Sequence, residues 1–384
     1  MTLVQLAAGL GWWTAIALPA FLIVLTLIVF VHEFGHFLMG RIFGVRIESF
    51  SIGFGRAIVG FQDRHGTMWK VGWLPLGGYV KFWGDAGVSS NPDHDVIDQA
   101  SADERAHSFH HKPLLQKALI AVAGPLANFI LAIVIFSAVY MIYGREFTPA
   151  IVDAVKAGTP AEAAGFKAGD RVLSIDGTHI KYFDDLVQIV SLNQDTDLIF
   201  VVQRGSEIVT LHVVPKILDM PNPLGGKDIP ATGIGLEHFG DRHKAEAEYV
   251  RYGPLTAVAK GAGDTWFIVA KTLDFVGRLL TGSGDVRQLS GPIGIAQVSG
   301  QILDKAGPSA LVWLMAVLSV SIGLLNLFPI PMLDGGHLLY YGIEAVRGRP
   351  LGEKAQELGF QIGLALVVGL MLIATWNDLQ FRLF

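Results

Sequence analysis

Residues 16–38 read IALPAFLIVLTLIVFVHEFGHFL, and this stretch decides both the fold class and the chemistry. Up to Val31 it carries no ionisable side chain, and it is long enough to cross a hydrocarbon layer of about 30 Å, which takes roughly 20 helical residues. It then supplies His32, Glu33 and His36, the sole ionisable side chains of the first forty residues. They spell H-E-x-x-H. Two histidines one turn apart project from the same helical face and can share one Zn²⁺, with the glutamate beside them as general base for a water. A chance occurrence of the motif is a poor rival, because ionisable groups at membrane depth are costly and mostly mark function.

Working outward, the 384-residue chain is 51% hydrophobic and only 16% charged, against about 25% charged in an average soluble domain. Apolar stretches at 118–143, 309–329 and 358–377 join the first as candidate spans, and four spans put both termini on one side. Nine Lys/Arg lie between Arg41 and Lys117, Arg347, Arg349 and Lys354 follow the third span, and residues 1–40 carry none. By the positive-inside rule these two loops are cytoplasmic and the termini are outside. The net charge of −5, with scattered basic residues, gives no footprint for nucleic acid. The absence of cysteine rules out a disulfide framework and thiolate ligands, so any metal must be held by His, Asp or Glu. The N-terminus lacks a basic n-region and a small-residue cleavage site, so the first apolar stretch is expected to be retained.

The fold class expected is a polytopic α-helical membrane protein with four transmembrane helices, membrane-associated β-hairpins and an inserted β-rich outer domain. Its parts are an N-terminal membrane half at 1–146, the β-rich domain at 147–238, an amphipathic membrane-surface region at 239–308 and a C-terminal membrane half at 309–384. Gly53, Gly55, Gly60, Gly72, Gly77 and Gly78 interrupt strand-like alternation between Arg46 and Phe82. Such hairpins at membrane depth must be covered by protein or line a wet cavity. In the outer domain, Ala150–Ala154, Arg171–Ile175, Leu198–Gln203 and Ile208–Val214 are strand-like, with Phe183–Leu192 a short helix. Over 254–280, Lys260, Asp264, Lys271, Asp274 and Arg278 form one polar stripe, which predicts a helix lying on the outer membrane surface. His179, His212, His238 and His243 read as surface histidines, and His110 and His111 as interfacial.

Two histidines leave a catalytic zinc one protein ligand short. Between Ser309 and Ile343 the sole formally charged residue is Asp334, in the run Asn326-Leu-Phe-Pro-Ile-Pro-Met-Leu-Asp334-Gly-Gly-His337. The prolines interrupt the helix and the glycines let the backbone turn, so the carboxylate can be aimed into a cavity. His337 is the rival ligand, and an N-cap role is the rival use of Asp334.

Together with A-G-P-L-A-N-F at 123–129, G-G-Y-V-K-F at 77–82 and G-P-I-G-I at 291–295, these motifs make the chain resemble the site-2 protease family of intramembrane zinc metalloproteases, in its bacterial RseP-like branch. The resemblance covers nearly the whole chain. It implies His32, His36 and Asp334 as zinc ligands, Glu33 as catalytic acid/base and Asn326 as a contact to the substrate backbone. Asn128 and Gly124 are implied as active-site wall, and Asn128 is counted with Asn326 as substrate-binding. From the residues alone, Asn326 can equally hydrogen-bond a neighbouring helix, and Asn128 can equally serve close packing. Ala157-Gly-Thr-Pro-Ala161 and Gly169–Gly177 resemble a PDZ domain, which binds extended peptides by strand addition; relatives from enteric bacteria carry two such domains where this chain has room for one.

The resemblance further implies a zinc metalloendopeptidase of the bacterial inner membrane, with its PDZ-like domain and termini extracytoplasmic and its active site towards the cytoplasm. The expected partners are the lipid bilayer, a peptide ligand of the PDZ-like domain and a single-span membrane protein, such as an anti-sigma factor trimmed outside the membrane. The rival from another class is a catalytically inactive membrane-anchored PDZ scaffold, or a metal transporter using the same ligands. A transporter would show ionisable residues along several spans, and a dead scaffold has no use for Glu33.

Overall fold

The computed structural model describes residues 11–87, 93, 96, 97, 99–220, 229–239, 243 and 246–383. The first ten residues of the expected N-terminal half and residues 221–228 of the expected β-rich domain lie outside that set. The long helices are α1 (Leu18–Ile42), α2 (Leu114–Ile142), α3 (Phe183–Leu192), α4 (Pro254–Thr281), α5 (Pro292–Ala306), α6 (Pro308–Asn326), α7 (Asp334–Arg347) and α8 (Glu353–Asn377). Among the described residues, four helical stretches have the length and apolarity to cross a membrane: Trp13–Ile42, Leu114–Ile142, Pro308–Asn326 and Lys354–Gln380. These are the four spans read from the sequence, each shifted by a few residues at its ends.

The chain divides into two units, residues 1–135 with 291–378, and residues 136–290 with 379–384. This differs from the four-part division expected from composition. The 239–308 stretch in particular does not stay together. Its helix α4 belongs to the second unit, whereas α5 belongs to the first and contacts α1, α6 and α8. The Gly-Pro-Ile-Gly run explains that attachment: Gly291 N–H and Gly294 N–H donate to the buried Asp378 carboxylate at 3.1 and 2.7 Å, so a residue at the end of α8 caps the first turn of α5.

In the first unit, β1 (Ile47–Gln62) and β2 (Met68–Phe82) form one antiparallel hairpin that folds over on itself. Ser49–Ile52 pairs on one side with Met68–Val71 and on the other with Gly78–Lys81, while Val59–Gln62 adds to the far side of Met68–Val71. The bend falls where Gly53 and Gly55 adopt φ of 82° and 83°, a region other residues rarely enter. The strand Gly78–Phe82 therefore becomes an edge. Phe37 of α1 packs with Phe50, Val80, Phe82, Phe109 and Ile120 in one buried cluster that seats the hairpin on the helix; truncating a fully buried phenylalanine such as Phe50 costs about 3–5 kcal/mol. Ile58, Val59, Phe61 and Trp73, by contrast, expose more than half their surface.

The second unit contains the β-rich module. Its strands are β3 (Arg145–Phe147), β4 (Ala154–Val155), β5 (Arg171–Ile175), β6 (Thr178–His179), β7 (Leu198–Arg204), β8 (Glu207–Val213), β9 (Lys216–Met220), β10 (Ile229–Gly233), β11 (Leu236–Glu237) and β12 (Glu248–Val250). A four-stranded sheet in the order β6-β5-β7-β8 carries Val172, Ile175, Phe200 and Val202 into a core closed by Leu186 and Val190 of α3. Strands β5, β7, β8 and helix α3 lie where alternation placed them. The expected strand at Ala150–Ala154 shrinks to a bridge at Ile151 and the two residues of β4. On α4, Ala257, Gly261 and Thr265 are buried, Asp264 accepts a hydrogen bond from Tyr140, and Trp266 and Leu273 face outward.

Candidate active site

Three segments of the first unit meet at the C-terminal half of α1. His32 and His36 stand one turn apart on α1, and their Nε2 atoms are 3.3 Å apart. Asp334, the first residue of α7, reaches them both: Oδ2 lies 3.1 Å from His32 Nε2 and Oδ1 lies 3.4 Å from His36 Nε2. Asp334 is not the cap of its helix, a place taken by Leu333. Its Oδ2 is buried and the His32 contact lacks hydrogen-bond geometry, so this charged oxygen has no donor. Donor atoms about 2.0 Å from a tetrahedral ion sit about 3.3 Å from each other. The separations here match that spacing, and the unmatched carboxylate oxygen calls for a cation; the residues fit Zn²⁺.

The far nitrogens of both imidazoles are held. His36 Nδ1 lies 2.8 Å from the Ile120 carbonyl, which can only accept, so the proton sits on Nδ1 and Nε2 presents its lone pair to an ion. His32 Nδ1 lies 3.2 Å from the Asn128 side-chain amide. Asn128 is fully buried with its amide against His32, outside the lining of the cavity. Asn326, at the end of α6, does line the cavity.

Two glycines permit this convergence. A Cβ on Gly124 of α2 would stand 2.2 Å from His36 Nε2 and 2.9 Å from His32 Nε2, and one on Gly35 would stand 2.3 Å from the Ala123 carbonyl oxygen. The A-G-P run on α2 and the glycine of H-E-F-G-H thus let the two helices touch at the histidines. The loop after α6 is equally tight. Cβ atoms on Gly335 and Gly336 would meet the carbonyls of Leu327 and Ile330 at 2.2 and 2.4 Å, and Met332 holds a positive φ of 83°. Such strain costs of order 1–3 kcal/mol and persists only where the surroundings impose it.

The site opens on a cavity of about 200 Å³ lined by His32, Glu33, His36, Gly78, Tyr79, Val80, Asn326, Asp334 and His337. A Cβ on Gly78 would stand 3.4 Å from Glu33 Cγ, so the edge strand of the hairpin runs past the glutamate side chain. His337 faces the same cavity, and burial pushes its pKa down; the ligand set His32, His36 and Asp334 closes without it. Behind the edge strand, Asp85 accepts the Phe82 N–H at 2.9 Å and pairs with His110 at 2.8 Å. Nothing in the sequence pattern marked that pair. His110 is therefore an internal partner, His111 is exposed as expected of an interfacial residue, and His179 and His212 are exposed as expected of surface residues.

The sequence of residues 20–370 matches the model of peptidase family M50. Relatives carrying the name "putative zinc metalloprotease" occur in Agrobacterium fabrum, 44% identical over 97% of this chain and 98% of the relative, and in Rhizobium meliloti, 46% identical over 95% and 96%. The metalloprotease MmpA of Caulobacter vibrioides is 40% identical over 95% of this chain and 96% of its own. Among solved structures, the PDZ domain of an SdrC-like protein from Listeria monocytogenes matches 25% of this chain and 94% of its own length at 20% identity, with a TM-score of 0.20.

Proposed function

The chain belongs to peptidase family M50, and from that premise we propose that it is a zinc metalloprotease that hydrolyses a peptide bond in or near the membrane-spanning segment of a single-span membrane protein. The observation that carries this reading is the meeting of His32, His36 and Asp334 at 3.1–3.4 Å, with Glu33 beside them, at the end of an apolar helix. His32, His36 and Asp334 would hold the ion, which when bound polarises a carbonyl and acidifies water.

The chain's own groups supply the remainder. Glu33 takes a proton from the attacking water and returns it to the leaving amine, the shuttle that a carboxylate next to the ligands performs. A substrate helix hides its carbonyls in its own hydrogen bonds and must unwind before attack. The edge strand Gly78–Phe82 offers backbone partners to the unwound segment by strand addition, and the Asn326 amide, on the cavity wall, holds the substrate backbone. The exposed apolar residues Ile58, Val59, Phe61 and Trp73 of the hairpin suit a bilayer setting. By the distribution of Lys and Arg the site faces the cytoplasm of a bacterial inner membrane, with the β-rich module outside as a PDZ-like receptor for a peptide. The substrate class that fits is a signalling protein such as an anti-sigma factor already trimmed outside the membrane.

The test is Glu33→Gln in the full-length protein. The variant should keep its zinc and cut a model single-span substrate about 10²–10⁴-fold more slowly. Cleavage near the wild-type rate would remove Glu33 from the mechanism.

A further inference from the structure

The second unit holds another group of nitrogen and oxygen donors. Asp153, His238 and His243 bring ligand atoms within 4.8 Å of one another. Their side chains are 7%, 8% and 14% exposed, which overturns the expectation that His238 and His243 are surface histidines. We propose that these residues form a second metal site, structural and not catalytic, suited to Zn²⁺.

The geometry carries the proposal. His243 Nε2 lies 3.1 and 3.2 Å from the two Asp153 oxygens. His238 Nδ1 lies 3.5 Å from Asp153 Oδ2 and 2.9 Å from the Ile151 carbonyl oxygen. Among the described residues these imidazole nitrogens face oxygen acceptors, so positive charge belongs between them, either as a proton on each nitrogen or as one shared cation. The 2.9 Å contact to the Ile151 carbonyl, which can only accept, puts a proton on Nδ1. Thr148 Oγ1, 2.6 Å from His238 Nε2, can accept the proton there instead, so an ion would bind by displacing the Nδ1 proton while the imidazole keeps one on Nε2. The Phe239 N–H donates to Asp153 Oδ2 at 2.7 Å and holds the carboxylate. The Phe183 ring lies nearly parallel to the His238 imidazole with centroids 4.3 Å apart. Outer contacts of this kind fix the ring and carboxylate orientation that a metal ligand needs.

Two imidazoles, a carboxylate and a carbonyl form a borderline donor set that favours zinc over calcium or magnesium. With four donors from the protein the coordination is closed, the mark of a structural site. Its place gives it a consequence. Asp153 directly precedes β4 and His238 directly follows β11, and these two strands pair; an ion would bind both to His243 and stabilise the module by mass action.

The full-length protein in detergent, stripped by a chelator and reloaded with Co²⁺, provides the test. In a His32→Ala/His36→Ala background, which removes the catalytic ligands, one Co²⁺ per chain should remain, with the visible absorption of a four-coordinate ion. Adding His243→Ala or Asp153→Asn should abolish it. Adding His243→Cys should retain the ion and introduce thiolate-to-cobalt charge-transfer absorption in the near ultraviolet. A background protein without cobalt overturns the proposal, as does cobalt that survives both His243→Ala and Asp153→Asn, or binding to His243→Cys without the charge-transfer band. Every arm is read without cleavage activity, so failure here is separate from failure of the proposed catalytic reading.

Discussion

Asp334 Oδ2 lies 3.1 Å from His32 Nε2, although the two residues come from opposite ends of the chain and belong to helices α7 and α1. A buried carboxylate oxygen held against a histidine nitrogen without hydrogen-bond geometry is costly unless a cation lies between them. Asp334→Ala should therefore lose zinc and cleavage together. His337→Ala should retain the metal, since His32, His36 and Asp334 close the ligand set without it. Metal analysis of the two purified variants decides the matter: normal zinc in Asp334→Ala, or its loss in His337→Ala, would overturn this ligand set.

Asn128 should act through His32. Asn128 Nδ2 lies 3.2 Å from His32 Nδ1, while Oδ1 is buried without a partner among the described residues. An imidazole that ligates through Nε2 carries its proton on Nδ1, so on metal binding the amide turns over and Oδ1 accepts that proton. Asn128→Leu should weaken zinc binding roughly 10–100-fold, while Asn128→Asp, which keeps an acceptor, should retain most of it. Competition with a chelator of known affinity measures both, and equal affinities in the two variants would count against the orienting role.

Gly124→Ala should disturb the same centre by crowding. The added methyl carbon would fall 2.2 Å from His36 Nε2, so either an imidazole rotates away or α2 moves off α1. Zinc content and cleavage should both fall at least about tenfold, as for other losses of ligand orientation. Gly263→Ala, on α4 with open space around it, is the control and should change neither.

The hairpin turn should be sensitive to acid. Burial raises the pKa of Asp63, but the Trp69 indole, the Thr67 and His65 backbone N–H groups and Arg41 outweigh it and hold the carboxyl down to about 2. A depressed folded-state pKa contributes stability above the unfolded value of about 3.9, and that stability is lost as pH falls through the folded value. The difference in thermal stability between the parent and Asp63→Asn should thus be full above about pH 4 and vanish towards about 2. Melting curves in detergent across that range check it; a difference that persists unchanged at the acid end would exclude the carboxylate as its source.

What the sequence determined by itself is what local periodicity and charge burial can encode. The apolar run ending in His32, Glu33 and His36 reads as a span with a metal-binding face because one helical turn places both histidines together without help from elsewhere. Asp334 was legible for the same reason: a lone charge in an apolar, proline-broken stretch needs a partner. Helix α3 and strands β5, β7 and β8 followed from alternation and turn residues.

Only the tertiary structure decided the rest, because it depends on the approach of segments far apart in the chain. Gly35 looks like an ordinary small residue, and Gly124 is placed at the site by resemblance alone, until α1 and α2 are seen to touch at the histidines, where no Cβ fits. Asn128, open in the sequence between substrate contact and close packing, is found buried with its amide against His32. The glycines of the hairpin announced bends but not that β2 would serve both halves of β1. His238 and His243 read as surface residues because polarity in a loop-rich stretch carries no record of Asp153, which the pairing of β4 with β11 brings beside them.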